Sequence, residues 1–218
     1  MSEAETPHPP ATAAFGHVVA GGPAHLYPPA GPVRARKFSV GDWDNNVHVI
    51  ECSGQGLIVD GAADHERILA EVQGLEVVCI VQTHNHQDHT GALRPLVDAL
   101  GVPVYAHRDD AMSVPASSID DMGVLLVGGQ ELRAFHTPGH TSGSMCYLIG
   151  DHLFTGDTLF PGGPGATGRD PDRFATIMTS LDRLFELPDE TRVSPGHGLD
   201  TTIGRERPYV DVWRSRGW

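Results

Sequence analysis

The chain has 218 residues, enough for one domain with a substantial core, or one domain and a small appendage. Apolar residues make up 39%, and the longest apolar stretches are strand-length, far short of the roughly 18 residues a membrane span needs. Fifteen basic residues against 28 acidic ones give a formal charge of −13, which argues against nucleic acid or an anionic membrane as partner. The chain begins with acids and prolines rather than a basic region and an apolar block, so no signal peptide is expected and the cytoplasm is the default location.

Residues 1 to about 35 hold seven of the 17 prolines, with many alanines and glycines and no periodicity. This predicts a flexible arm ahead of a single domain at 36–218. His8, His17 and His25 lie in the arm without partners at ligand spacing and are expected in solvent. From Lys37 the pattern is strand, turn, strand: Asn46 to Cys52 alternates, and Gly56 to Asp60 is a short buried strand ending in a carboxylate. Asp64 reads as the N-cap of a helix reaching about Val72, with Ile68, Leu69 and Val72 on one face. Val77 to Gln82 is a continuous apolar strand.

A helix with Leu93, Leu96, Val97 and Leu100 inward is stopped by Gly101, and Val102 to Ala106 is again a strand. Short strands follow around Val124 to Val127 and Leu132 to His136. Ser144 to Ile149 and His152 to Thr155 pair as a hairpin across Gly150-Asp151. Pro171 to Phe185 is helical, and Arg192 to Ser194 is a last strand. Both halves supply strands and helices, which predicts two packed sheets with helices outside. Cys52, Cys79 and Cys146 lie too far apart for a disulfide framework or a zinc finger, and Cys79 and Cys146 are expected as reduced core residues.

The 13 histidines decide the functional reading. His84, His86, Asp88 and His89 fall within six residues, between a buried strand and a helix. The rings of His84 and His86, two apart in an extended loop, can project to one side. Asp88 and His89, where the chain turns into the helix, can serve a second metal. Such side chains are costly to bury unless paired or coordinated. Three more candidates follow strand-like residues and sit beside glycine, which lets backbone approach a tight site. They are His140 in Thr-Pro-Gly-His-Thr, Asp157 in Thr-Gly-Asp-Thr and His197 in Pro-Gly-His-Gly.

This His-x-His-x-Asp-His motif, followed by His140, Asp157 and His197, resembles the metallo-β-lactamase superfamily. Residues 83–91, 136–140, 155–160 and 194–198 look most like its glyoxalase II branch. The resemblance spans roughly residues 37 to 210. It implies an α/β fold, the four-layer αββα sandwich of that superfamily. It also implies a first ion held by His84, His86 and His140, a second by Asp88, His89 and His197, and Asp157 bridging the two. Asp60 matches a carboxylate that supports the ligands from behind. Nitrogen and oxygen donors without thiolate admit two divalent ions, zinc first, with iron or manganese open.

The function implied is hydrolysis of a small-molecule thioester by a water that the metals activate, with Asp88 orienting that water. The alternatives are a persulfide dioxygenase using one iron, a lactonase, and a non-catalytic binding module of the same fold. His136 is expected to be structural, and His48, His65, His107 and His152 to be structural or solvent-facing. The run Pro161 to Arg169 should edge the pocket; close glyoxalase-like relatives carry Gly-Arg-Thr-Asp near here, where this chain has Gly165-Ala166-Thr167-Gly168. Only 21 residues follow His197, too few for the helical domain that holds glutathione in full-length relatives. Fourteen arginines against the single Lys37 indicate a GC-rich coding sequence, and a thioester of a small thiol such as mycothiol is the expected substrate. The oligomeric state is open, a homodimer included.

Overall fold

In the computed structural model of the chain, residues 15–217 are described. β1 (His25–Leu26), β2 (Arg34–Val40), β3 (Asn45–Cys52), β4 (Gln55–Val59), β5 (Glu76–Val81), β6 (Val104–Ala106) and β7 (Ser117–Ser118) form one sheet in that order. β1 to β4 are antiparallel neighbours, whereas β4 to β7 run parallel. β8 (Val124–Val127), β9 (Gln130–His136), β10 (Met145–Ile149) and β11 (His152–Gly156) start a second sheet. A ribbon of β12 (Leu159–Phe160) and β13 (Gly163–Pro164) intervenes. β14 (Arg192–Pro195), parallel to β11, and β15 (Thr201–Thr202) then complete the second sheet.

Alternation along the strands divides the core into three. Ile50, Leu57 and Val81 of the first sheet meet Leu132, Tyr147 and Phe154 of the second. On the outer face of the first sheet, α1 (His65–Glu71) and α3 (Leu93–Leu100) set Ile68, Leu93 and Leu96 against Val49, Ile58 and Ile80. On the outer face of the second, α4 (Pro171–Leu184) and α6 (Val210–Arg216) set Leu181, Leu184 and Trp213 against Cys146, Leu153 and Val193. This is the expected four-layer αββα order. Two short helices complete the fold: α2 (Gln87–Thr90), and α5 (Ile203–Glu206), which adds buried Ile203 to the cluster under α4 and α6.

The helix ends are where the local chemistry puts them. The Asp64 side chain accepts from the Arg67 N–H at the start of α1, and Asp170 accepts from Asp172 and Arg173 at the start of α4, with Pro171 in its first turn. Gly101 ends α3 in the left-handed region at φ 66°. The hairpin β10–β11 closes as expected, with Ile149 opposite His152. Among the described residues, no helix is long and apolar enough to cross a membrane.

The arm reading does not hold for its later part. β2 begins at Arg34, so the expected boundary at 35/36 falls inside a strand. His25 and Leu26 pair with Lys37 and Arg36, and Tyr27 is 6% exposed, with its hydroxyl 3.0 Å from Ser194 Oγ. His25 is therefore partly buried, edge-on to Tyr27, rather than free in solvent. A two-residue strand followed by an aromatic anchor has no period to read. His17 is exposed as expected, while His8 and the rest of 1–14 lie outside the described residues.

The buried thiols and imidazoles behave as core groups. All three cysteines are free, and burial pushes the thiols of Cys79 and Cys146 up to about 12 and about 11. Burial, reinforced by nearby Lys37 or Arg192, holds His48 and His152 well below the ordinary 6.5. Both are neutral in the fold but protonate below 6.5 once unfolded. Their contribution to stability is therefore intact above 6.5 and falls as pH drops below it, each histidine adding a slope of about 1.4 kcal/mol per pH unit. Replacing His152 with Gln, which still offers Ser194 a partner, should make the chemical-denaturation stability profile shallower by that amount below pH 6.5. Parallel profiles for parent and variant would show that His152 is not held neutral.

Candidate metal centre

The expected ligands converge at strand ends. β5 delivers His84 and His86 through the loop at its C-terminal end, and α2 then carries Asp88 and His89. Asp157 follows β11, His197 follows β14, and His140 lies in the loop between β9 and β10. Asp60, just past β4, is buried and makes three contacts. It accepts from the Thr83 backbone N–H at 2.7 Å and the Thr83 hydroxyl at 2.8 Å, and it lies 3.0 Å from His89 Nδ1. One carboxylate thus fixes both the entry to the His84 loop and the His89 ring.

Two triads result. In the first, His86 Nδ1 lies 3.2 Å from His84 Nε2 and 3.0 Å from His140 Nε2, with the three rings mutually at 81–85°. In the second, His89 Nε2 and His197 Nε2 are 3.1 Å apart, and Asp88 Oδ2 is 3.5 and 3.4 Å from them. Donors bound tetrahedrally to one ion at ~2.0–2.1 Å stand about 3.3 Å apart, so these spacings match shared coordination. Asp157 stands between the triads: Oδ1 is 3.5 Å from His89 Nε2, and Oδ2 is 3.4 Å from His140 Nε2 and 3.7 Å from His197 Nε2. Its Oδ1 is buried without a hydrogen-bond partner, an orphan that a cation would satisfy.

The other ring nitrogen is held on four of the five histidines. His84 Nδ1 meets the Thr83 hydroxyl at 3.0 Å, His140 Nδ1 the Ala166 carbonyl at 2.8 Å, and His197 Nδ1 the Trp43 carbonyl at 2.7 Å; Asp60 holds His89. Each such contact turns Nε2 toward the centre, the usual orienting device around a metal. Burial, then neighbouring rings, pushes His84 well below the ordinary imidazole range, and burial lowers His140 despite Asp157. At His89 burial opposes charge, yet the Asp60 hydrogen bond and the charges of Asp60, Asp157 and Asp88 outweigh it and hold the ring at about 9. Burial disfavours ionised Asp88, but the hydrogen bond from Asn45 and nearby His89 keep its carboxyl below the usual range. Neutral His84 and His140 and ionised Asp88 are in the states that divalent ions require, whereas His89 would give up its proton on binding one.

Several supports carry no sequence signal. Asn45 Nδ2 donates to Asp88 Oδ2 at 2.9 Å, and Lys37, buried against Asp200 at 2.7 Å, donates to the Gly198 carbonyl beside His197. The loop after Phe160 edges the centre as expected, through Ala166. A cavity of about 570 Å³ opens beside Asp88, lined by Trp43, Asn45, Ala63 and Gln87. His136 stays outside both triads. Its ring stacks on His107 at 3.8 Å, and with Asp109 these two form a separate cluster of ligand-type atoms.

A family model, the metallo-beta-lactamase superfamily, matches residues 40–197. The hydroxyacylglutathione hydrolase of Gloeobacter violaceus is 38% identical over 172 residues, covering 75% of this chain and 67% of that protein. A di-iron-bound form of TTHA1623 is 32% identical with a TM-score of 0.68, covering 78% of this chain and 95% of that one. ETHE1 from Myxococcus xanthus is 29% identical with a TM-score of 0.71, covering 79% and 81%.

Proposed function

The chain belongs to the metallo-β-lactamase superfamily, and on that premise we propose that it is a dinuclear hydrolase of small-molecule thioesters. The carrying observation is the pair of triads joined by Asp157, whose carboxylate reaches donors of both. His84, His86 and His140 would hold the first ion and Asp88, His89 and His197 the second, with Asp157 within reach of both. Two divalent ions so held would supply an acidified water, with its pKa brought toward ~7, and a Lewis acid for the substrate carbonyl. The rest is the work of side chains. Asp88, 33% exposed and oriented by Asn45, borders the cavity and is placed to hold the proton of the attacking water. His86, Asp88 and His197 form the solvent-facing side of the centre, where substrate enters, while His84 and His89 seal its floor. The relative from Gloeobacter supports an S-acyl thiol as substrate, and the di-iron relative supports two ions.

Metal analysis of protein purified without added metal, joined to a panel of one acyl group on several thiols, tests this reading. About two ions per chain and thioester cleavage abolished by chelation and restored by zinc, iron or manganese are the expected results. A preference for a small thiol such as mycothiol over glutathione is expected within the panel. One iron per chain with oxygen uptake on a persulfide would replace the hydrolase with a dioxygenase. Lactone cleavage without thioester cleavage would move the substrate class.

A further inference from the structure

We propose that Asp110 is a positioning residue that clamps together the two loops carrying the His84–His86–His140 triad, and so sets the affinity of the first ion selectively. The inference rests on the reading of that triad as an ion site. Asp110 lies past the end of β6, on none of the segments that carry a ligand, and is only 4% exposed. Both its carboxylate oxygens are engaged by the ligand loops. Oδ2 accepts from the backbone N–H of Asn85, the residue between His84 and His86, at 3.1 Å, and from the hydroxyl of Thr141, the residue after His140, at 2.6 Å. Oδ1 accepts from the Gly143 N–H at 2.9 Å. Thr141 is itself tied back, its N–H donating to Ser144 Oγ at 3.0 Å.

The two loops come from different sheets, and the one buried carboxylate spans them. The approach is close: a Cβ on Gly143 would lie 2.7 Å from Asp110 N, Cβ and Cγ, so this position admits only glycine. Among the described residues Asp110 forms no ion pair, and its charge is met by N–H and O–H donors alone. It stands one residue from both His84 and His86 through Asn85. The second triad is held by other groups: Asp60 on His89, Asn45 on Asp88 and the Trp43 carbonyl on His197. A fault at Asp110 should therefore reach one ion and not the other.

Asp110→Asn tests this, since the isosteric amide must present NH₂ to one of three donors. Zinc affinity is read by competition with a chromophoric chelator, independently of turnover. In the Asp110→Asn protein, one of two zinc ions should bind ~10–100-fold more weakly, the range for lost outer-shell partners, with the other changed less than about threefold. Combined with His197→Gln, which leaves the first triad, Asp110→Asn should weaken the remaining ion by the same factor. Combined with His86→Gln, which leaves the second triad, it should change nothing. Thr141→Val, removing one donor only, should act in the same direction by severalfold, and serves should Asp110→Asn fail to fold. Equal weakening of both ions, or a lower Tm with both affinities unchanged, would overturn the clamp. If neither His86→Gln nor His197→Gln removes an ion, the triad reading itself fails.

Discussion

Asp157→Ala is expected to abolish thioester hydrolysis and to loosen both ions at once. Its two oxygens lie 3.4–3.7 Å from histidine nitrogens of both triads, and one of them has no other partner. Two divalent charges 3.5–4 Å apart repel by on the order of 18 kcal/mol at an effective dielectric of 20. A carboxylate between them offsets part of that repulsion for each. Without it, only Asp88 remains among the proposed ligands to contribute negative charge. Losing ~4 kcal/mol of transition-state stabilisation corresponds to a roughly 10³-fold fall in kcat/KM. Dialysed protein should retain less than one ion, whereas His197→Gln, outside the first triad, should retain about one. Two ions held by Asp157→Ala with unchanged affinity would remove the bridge and with it the shared-water chemistry.

That carboxylate was readable in the sequence, and so were its six companions: four fall within six residues after an apolar strand, and His140, Asp157 and His197 each sit beside glycine after strand-like residues. Their types, spacing and order carry the information. The groups that aim them were not readable. Trp43 and Ala166 act through backbone carbonyls, which every residue possesses, and Asn45 and Asp110 act across 43 and 25 or more positions with no fixed spacing. Asp60 is the exception, legible through the family likeness and found on Thr83 and His89. In the fold, strands of five or more residues other than the start of β2, and helices with Asp or Gly ends, stand close to where periodicity puts them. β1, β7, β12, β13 and β15, two residues each, exist only through their partners and have no pattern of their own. The N-terminal segment illustrates the point: Tyr27 is recognisable as an anchor only once Ser194 is beside it.

Gly196→Ala should be nearly as damaging as losing a ligand, although it alters none. A Cβ there would stand 2.5 Å from Asp157 Oδ1 and 2.6 Å from His89 Cε1, one atom from the bridge and one from the second triad. The backbone cannot retreat, because the Gly196 N–H donates to the Gly156 carbonyl at 2.8 Å and its own carbonyl accepts from Asn46 N–H at 2.7 Å. Gly196 is not among the residues at positive φ, so alanine is conformationally permitted and the collision is the whole effect. The ligands must give way. Activity should fall ~10²-fold or more, and ion affinity should drop at both sites, with the metal-free protein's stability changed by no more than ~1–2 kcal/mol. Gly198→Ala is the opposite case. It lies at φ +66° with nothing within 4 Å of a new Cβ, so it should cost ~1 kcal/mol of backbone strain while leaving ions and turnover nearly intact. Measuring zinc affinity, kcat/KM and denaturant midpoints for the two variants separates strain from collision. If Gly196→Ala kept both ions and activity within about threefold, Asp157 and His89 would not be packed as closely against the His197 turn as the mechanism requires.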